Sequence, residues 1–169
     1  MNNKKEKGEK EVQHVFLVGA KSLGAYGGYE TFVNKLTEYH QNNPEIKYHV
    51  SVKANGQGAG VPEGAVSCKE GYIYHNAECY KITIPEKLGS AQAIYYDCKS
   101  LEKSIEIIKK QNIEKPIVYI MTCRIGPFFD RYARKIRALG GRVFLNPDGE
   151  CEIIWATREK PDFMRVYAA

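Results

Sequence analysis

A glycine-rich segment near the start of the chain contains the first residues whose types and spacing could bind a ligand. Glycines stand at positions 19, 24, 27 and 28, and Glu30 follows them. Glycine allows backbone N–H groups to approach a ligand closely, and the helix predicted after the segment would present its positively polarised start. A plain strand-to-helix turn is the alternative interpretation. We therefore regard Gly24, Gly27 and Gly28 as candidate substrate-binding residues.

The spacing of these glycines departs from two nucleotide-binding motifs. Lys21 occupies the position of the second glycine in the dinucleotide motif G-x-G-x-x-G. Gly19 and Gly24 match the phosphate loop G-x-x-x-x-G-K-S/T, but Ala25 and Tyr26 replace its lysine and its hydroxyl residue. Because the phosphate-binding lysine and the magnesium ligand are both missing, we do not expect hydrolysis of ATP or GTP. A Rossmann-type nucleotide enzyme is therefore the weakest of the functional alternatives.

Three charged residues complete the set of candidates. Glu30, in the first turn of the predicted helix, would complement the helix dipole, accept hydrogen bonds from sugar hydroxyls, or do both. Arg124 directly follows a buried strand, where its planar guanidinium could bind a phosphate or a carboxylate, or pair with an acid on a neighbouring loop. Asp148 lies in N-P-D-G, a sequence that favours a turn, and is a candidate for substrate binding. Asp148 and Glu30 are also the candidates for a catalytic general base.

Strands and helices alternate along the chain and would position these candidates. Apolar runs predict strands at residues 14–18, 117–122 and 143–145, and alternation predicts one at 47–53. Residues 72–74 and 78–84 are predicted to form a hairpin or two short strands. Helices are predicted after the glycine-rich segment, over about 91–111, and from about 127 to the glycines at 140 and 141. This alternation predicts an α/β fold with a mostly parallel sheet and helices on both faces. Ligands of such sheets bind beyond the carboxyl ends of the strands, where the candidate loops lie.

Apolar residues repeat on one face of each predicted helix, which predicts that these faces are buried. In the first helix they are Phe32, Leu36 and Tyr39. In the second they are Ile94, Cys98, Leu101, Ile105 and Ile108. In the third they are Phe129, Tyr132, Ile136 and Leu139.

The composition predicts a soluble, single-domain globular protein. The chain has 169 residues, 43% of them apolar and 27% charged, and single domains usually contain about 100–200 residues. Residues 1–11 carry charges of both signs and are expected to form a disordered tail. No apolar run approaches the roughly 20 residues of a membrane span. The five cysteines form no C-x-x-C pair, which favours reduced, mostly buried thiols in the cytosol over disulfides or a metal site.

The formal net charge of +5 comes largely from basic residues on the second and third predicted helices. Solvated helix faces are the simplest interpretation of this charge. Attraction to a phosphorylated substrate or to the negatively charged cytoplasmic surface of a membrane is the alternative. No nucleic-acid-binding motif accompanies the basic residues, so nucleic acid is not expected as a partner.

Four segments in the same order resemble one family of proteins. They are H-V-F-L-V-G-A-K-S-L-G-A-Y-G-G-Y-E-T-F-V-N-K-L-T-E (14–38), A-Q-A-I-Y-Y-D (91–97), C-R-I-G-P-F (123–128) and G-G-R-V-F-L-N-P-D-G (140–149). Together they resemble bacterial rhamnosyltransferase-like glycosyltransferases, which are family 4-like enzymes with a DUF1972 amino-terminal domain. These enzymes build capsular and cell-wall polysaccharides.

The resemblance implies the amino-terminal, acceptor-side half of a GT-B enzyme, in which two Rossmann-like domains face each other across a cleft. The other domain would hold a nucleotide-sugar donor, dTDP-rhamnose, and no metal cofactor is expected. The acceptor would be a lipid-linked sugar, which implies a cytoplasmic protein with peripheral contact at the inner face of the cell membrane. By position, Gly27, Gly28 and Glu30 would face the cleft, and Arg124 and Asp148 would line its far wall.

The resemblance extends from about residue 12 to residue 149 and sets the expected domain boundaries. Residues 150–169 lack the Glu-Trp pair and basic helix that usually follow N-P-D-G in the family. We therefore expect a truncated protein that lacks the donor domain and is inactive as an isolated half. The alternative is a non-catalytic sugar- or nucleotide-binding module, or an inactive gene fragment.

Overall fold

The computed structural model describes residues 12–24 and 27–146, which contain seven strands and three α-helices. The strands are Gln13–Val18 (β1), Ile46–Lys53 (β2), Val66–Cys68 (β3), Gly71–Tyr74 (β4), Ala77–Ile82 (β5), Ile117–Ile120 (β6) and Arg142–Leu145 (β7). The helices are Gly28–Tyr39 (α1), Gln92–Lys110 (α2) and Phe129–Ala138 (α3). Two 3₁₀ segments, Glu86–Ala91 and Cys123–Phe128, precede α2 and α3.

The strands form one sheet in the order β3-β4-β5-β2-β1-β6-β7. All pairs among β5, β2, β1, β6 and β7 are parallel, whereas β3 and β4 join one edge as antiparallel strands. Counted along the chain, the five parallel strands stand in the order third, second, first, fourth, fifth. This is the strand order of a Rossmann-like sheet, and it reverses direction between β1 and β6. The predicted α/β fold with a mostly parallel sheet is confirmed.

Side chains that alternate along the strands form a separate core on each face of the sheet. On one face, Phe16 and Val18 of β1 pack in a cluster with Leu101 of α2 and Ile136 of α3. On the other face, Leu17 packs in a second cluster whose helical member is Val33 of α1. Helices therefore cover both faces of the sheet, as predicted.

The buried side of α1 is only partly the predicted one, since Leu36 packs against the core but Phe32 and Tyr39 do not. Phe32 and Tyr39 are 47% and 83% exposed, whereas Val33 and Thr37 are fully buried. Val33 and Thr37 lie one helical turn apart, and as small β-branched residues they allow the helix to lie close to the sheet. Shape thus sets the contact face of α1, and the larger apolar side chains remain at its margin.

The inward side of α2 is more polar than its apolar pattern predicts. Leu101 is buried as expected, but Ile94 is 37% exposed. Asp97, Ser100 and Ser104 are all fully buried on this helix. The two serine hydroxyls donate to backbone carbonyls one turn earlier in α2, so their burial needs no further partner. The Asp97 carboxylate is bonded outside α2, to Thr122, and it belongs to the candidate site described below.

Two further expectations concern membrane spans and cysteines. No helix within the described ranges is long and apolar enough to cross a membrane. No disulfide joins the four described cysteines, in agreement with the predicted reduced thiols. Burial was expected for most of them, but Cys68 is exposed and only Cys79 is fully buried.

Candidate functional site

The candidate site lies at the carboxyl edge of the sheet, which we define as the edge where β1, β2 and β6 end. The loop of residues 19–24 follows β1, Lys53 is the last residue of β2, and Arg124 lies in the 3₁₀ segment after β6. This edge includes the point between β1 and β6 where the strand order reverses. In open α/β sheets, ligands bind in the crevice at this point.

Side chains from two other elements bind the backbone N–H groups of the loop after β1. The Lys21 N–H donates to Glu30 Oε1 of α1 at 2.8 Å, and the Leu23 N–H donates to the Tyr72 hydroxyl of β4 at 3.3 Å. Two of the N–H groups that the sequence offered to a ligand are therefore already occupied. Glu30 is only 4% exposed, so its carboxylate anchors the loop. Binding of sugar hydroxyls by Glu30 stays a prediction.

The carbonyl groups of the same loop are held equally firmly. The Tyr96 hydroxyl of α2 donates to the Ala20 carbonyl. The backbone N–H of Lys53 donates to the Lys21 carbonyl at 2.7 Å, which ties the end of β2 to the loop. Four elements, α1, α2, β2 and β4, therefore fix the backbone between Ala20 and Leu23.

The three candidate glycines differ in what their lack of a side chain permits. Gly24 has a φ of +85°, a left-handed conformation that favours glycine. A Cβ atom at Gly27 would overlap Glu30 Oε2, so this glycine makes room for the anchoring carboxylate. At Gly28 a Cβ atom would meet no atom within 4 Å. Gly28 therefore borders open space, and its position facing a cleft stays a prediction.

A pocket of about 510 Å³ opens beside Gly28. Its walls also include Phe32 of α1, Tyr119 of β6, Met121 and Asn146. The exposed ring of Phe32 lies 6.3 Å from that of Tyr119, measured between ring centroids. The pocket thus combines an aromatic wall with the open side of the glycine-rich segment.

Arg124 is anchored by one of its nitrogens to the floor of the site. Its Nε donates to Thr122 Oγ1 at 3.2 Å and lies 3.4 Å from Asp97 Oδ2. The alternative of pairing with an acid is thus confirmed, but the acid lies on α2 and not on a neighbouring loop. The Nη groups of Arg124 form no hydrogen bond within residues 12–24 and 27–146, and the side chain is 32% exposed.

Asp97 is the main site residue that the sequence analysis missed. Its side chain is fully buried, and Oδ2 accepts a hydrogen bond from Thr122 Oγ1 at 3.0 Å. Among residues 12–24 and 27–146, Oδ1 has no hydrogen-bond partner. Burial raises the pKa of Asp97, although Arg124 and the Thr122 hydroxyl act in the opposite direction. The available signal was an acid four residues before Leu101, on the stripe of α2 predicted to be buried.

Asp97→Asn is expected to make the protein more stable at neutral pH. Because the pKa of Asp97 is raised in the folded state, its carboxyl contributes most to the free energy of unfolding below the unfolded pKa of about 3.9. This contribution is lost as the pH rises through the folded pKa. The asparagine does not titrate, so its advantage in unfolding free energy should be absent near pH 3, grow with pH and then become constant. Urea titrations of both proteins between pH 3 and 8 test this, and an advantage that shrinks with pH would contradict the raised pKa.

Two lysines that the sequence analysis did not select complete the carboxyl edge. Lys53 ends β2, and Lys21 lies in the loop after β1. Burial lowers the pKa of Lys53, and the nearby positive charges of Lys21 and Arg124 lower it further. Glu30 and Asp97 act in the opposite direction. Lys53 therefore lies within electrostatic reach of two of the predicted site residues, Glu30 and Arg124.

The remaining expectations concern Asp148 and metal ions. Asp148 lies outside the described residues, so its role in substrate binding or catalysis stays a prediction. In the described part of the chain, no group of three or more His, Cys, Asp or Glu side chains could hold a metal ion. The site consists of backbone, carboxylate, hydroxyl and cationic groups, which suit a polar or anionic organic ligand.

The sequence matches the family described as a domain of unknown function, DUF1972, over residues 12–167. This match continues beyond Gly149, so the domain boundary expected there stays a prediction. No curated protein and no solved structure matches the chain.

Proposed function

Because the chain belongs to the DUF1972 family, we propose that it is the acceptor-binding, amino-terminal domain of a GT-B glycosyltransferase. DUF1972 domains are associated with the amino termini of glycosyltransferases. Within this proposal, the enzyme transfers rhamnose from dTDP-rhamnose to a lipid-linked acceptor during the synthesis of capsular or cell-wall polysaccharide. This finer assignment rests on the four segments that resemble rhamnosyltransferase-like enzymes.

The observation that carries the proposal is the position of the glycine-rich segment. It lies where the strand order of a Rossmann-like sheet reverses. The reversal between β1 and β6 is where such sheets bind ligands. Gly28 borders open space there, beside a pocket with an aromatic wall. Sugar rings pack on aromatic side chains, and their hydroxyls need polar partners. The fixed loop, the open pocket and the charged floor supply both kinds of contact.

The described residues form one Rossmann-like unit, so the proposal assigns the donor to a second domain. The nucleotide-sugar would bind there and face the carboxyl edge across a cleft. The domain described here would hold the acceptor without a metal or other cofactor.

The basic face of α3 supports an acceptor at the inner surface of the cell membrane. Arg131, Arg134, Lys135 and Arg137 lie on a helix with Asp130 as its one acidic residue. None of these basic residues forms a salt bridge with a described residue, whereas Lys99 and Lys103 of α2 pair with glutamates. Positive side chains near an anionic membrane contribute about 1 kcal/mol each to binding. Within the proposal, α3 makes the peripheral membrane contact.

Binding measurements on the 169-residue protein test the proposed function. We expect saturable binding of a short-chain prenyl-diphosphate-linked sugar and no rhamnose transfer from dTDP-rhamnose by this chain alone. Gly28→Val should weaken acceptor binding, because valine would fill the open space at the segment. A Cβ atom there meets no protein atom within 4 Å, so the thermal midpoint should change little and serves as the control for folding.

Three results would contradict the proposal. Rhamnose transfer by the chain alone would show that it is more than an acceptor-binding domain. Tight binding of NAD or ATP, with no binding of the prenyl-linked sugar, would favour a nucleotide enzyme. Unchanged acceptor affinity in a folded Gly28→Val variant would mean that the glycine-rich segment is only a turn.

A further inference from the structure

We propose that Lys21, Lys53 and Arg124 form a binding site for a phosphate-class anion at the carboxyl edge of the sheet. Lys53 is the last residue of β2, and Lys21 and Arg124 lie in the segments that follow the parallel strands β1 and β6. The identity of the anion as the phosphate or diphosphate of the acceptor rests on the proposed function. The site itself rests on the strand ends that bring these residues to one edge and on the contacts that hold them there.

Arg124 presents a fixed guanidinium whose outer edge is available. Thr122 Oγ1 and Asp97 Oδ2 lie 3.2 and 3.4 Å from Nε, and both are buried. Within the described residues, no hydrogen bond engages the Nη groups, and about a third of the side chain remains exposed. A guanidinium held in this way can offer two parallel N–H donors to two oxygens of one anion.

The two lysines are held side by side through the backbone. The Lys53 N–H donates to the Lys21 carbonyl at 2.7 Å, which brings the starts of both side chains to the same edge. A Cβ atom at Gly58 would lie 2.7 Å from Lys21 Cδ, so the Lys21 side chain runs alongside the segment after β2 that contains Gly58. The Lys53 ammonium is 3.4 Å from the Gln57 carbonyl. Neither lysine forms a salt bridge within residues 12–24 and 27–146.

The charges at this edge do not balance. Lys53 experiences the positive charges of Lys21 and Arg124 and the negative charges of Glu30 and Asp97. Among the residues that the structure describes, three cations therefore face two carboxylates at this edge. Glu30 already accepts the Lys21 N–H, and the one bonded oxygen of Asp97 accepts a hydroxyl. The excess is positive, which favours an anion at the open side of the cluster.

The number and kind of donors favour phosphate over carboxylate. A carboxylate has two oxygens, which the guanidinium of Arg124 alone could satisfy. A phosphate presents at least three oxygens and up to two negative charges, so it can use the ammonium groups of Lys21 and Lys53 as well. A diphosphate fits the same donor set and links a lipid to a sugar in the acceptor class proposed above.

Calorimetric titration of the 169-residue protein with sodium pyrophosphate tests the site. Arg124→Gln and Lys53→Gln should each weaken pyrophosphate binding by ~10-fold or more, since each removes a charge-assisted donor. Lys109→Gln is the matched control. It makes the same charge change in the last turn of α2, and pyrophosphate affinity should remain within ~2-fold of wild type because exposed, distant charges are screened.

The outcomes separate the anion site from the proposed function. Failure of the wild-type protein to bind pyrophosphate, or equal affinities for the site variants and Lys109→Gln, would overturn the anion site. Thermal midpoints show whether each variant folds. If Arg124→Gln does not fold, Lys53→Gln still tests the site, because Lys53 is partly exposed and its substitution should disturb the fold less. Competition with geranylgeranyl diphosphate and with dTDP then distinguishes the sources of the phosphate. If dTDP alone competes, the anion site stands and the proposed acceptor role fails.

Discussion

Phe16→Ala should lower the free energy of unfolding by about 3–5 kcal/mol, the range measured for buried aromatic residues cut back to alanine. Phe16 is completely buried in β1 and belongs to the core beneath α2 and α3. Its ring stacks on that of the fully buried His49, with centroids 4.4 Å apart. The neighbours lie in strands and long helices, so they cannot collapse into the space that the ring leaves.

Urea denaturation followed by circular dichroism measures this loss, and Phe32→Ala is its matched control. The substitution is the same, but Phe32 is 47% exposed on α1. The unfolding free energy of Phe32→Ala should therefore stay within about 1 kcal/mol of wild type, as for most surface positions. Similar losses in the two variants would mean that the core on the α2 and α3 face is not packed as described.

Gly71→Ala should be comparably harmful, with an expected loss of about 3 kcal/mol or more, at the upper end for overpacking. The added Cβ atom would overlap the Cys79 carbonyl oxygen and lie 3.3 Å from Tyr80 Cα. These are backbone atoms of β5, the antiparallel partner of β4. They can move only if the pairing between the two strands opens. The adjacent Tyr72 binds the Leu23 N–H, so the loop after β1 should loosen as well.

The control for this substitution is Gly60→Ala, where the added Cβ atom would meet no atom within 4 Å. Its unfolding free energy should remain within about 1 kcal/mol of wild type. Thermal denaturation of the two variants gives the comparison. A Gly71→Ala protein as stable as Gly60→Ala would show that β4 and β5 do not approach each other as closely as the structure indicates.

Local patterns predicted most of the sheet and its long helices. Apolar runs placed β1, β6 and β7 within a residue or two of their observed bounds, because buried parallel strands are apolar on both faces. Alternation placed β2 equally well. The three residues of β3 are all exposed, so no apolar pattern marks them. The buried side of α1 was predicted only in part. Leu36 packs against the core, but Val33 and Thr37 are buried more deeply than the larger Phe32 and Tyr39.

The candidate site was predictable only where a local rule applied. Glycines and Arg124 follow strand ends, so their location at the carboxyl edge could be expected. Asp97 contacts a hydroxyl 25 residues further along the chain, and only the packing of α2 against the end of β6 brings the two together. The anchoring of Glu30 to the Lys21 N–H likewise depends on the angle at which α1 leaves the loop.

The four attachments of the loop after β1 have a consequence for the kinetics of ligand binding. Ordering a mobile loop on binding consumes conformational entropy and reduces affinity. Here side-chain or backbone partners from four elements already hold the residues between Ala20 and Leu23. Little ordering of these residues remains for the ligand to impose. Association at this part of the site should therefore be a single step, with a rate proportional to ligand concentration and no slow phase of loop closure.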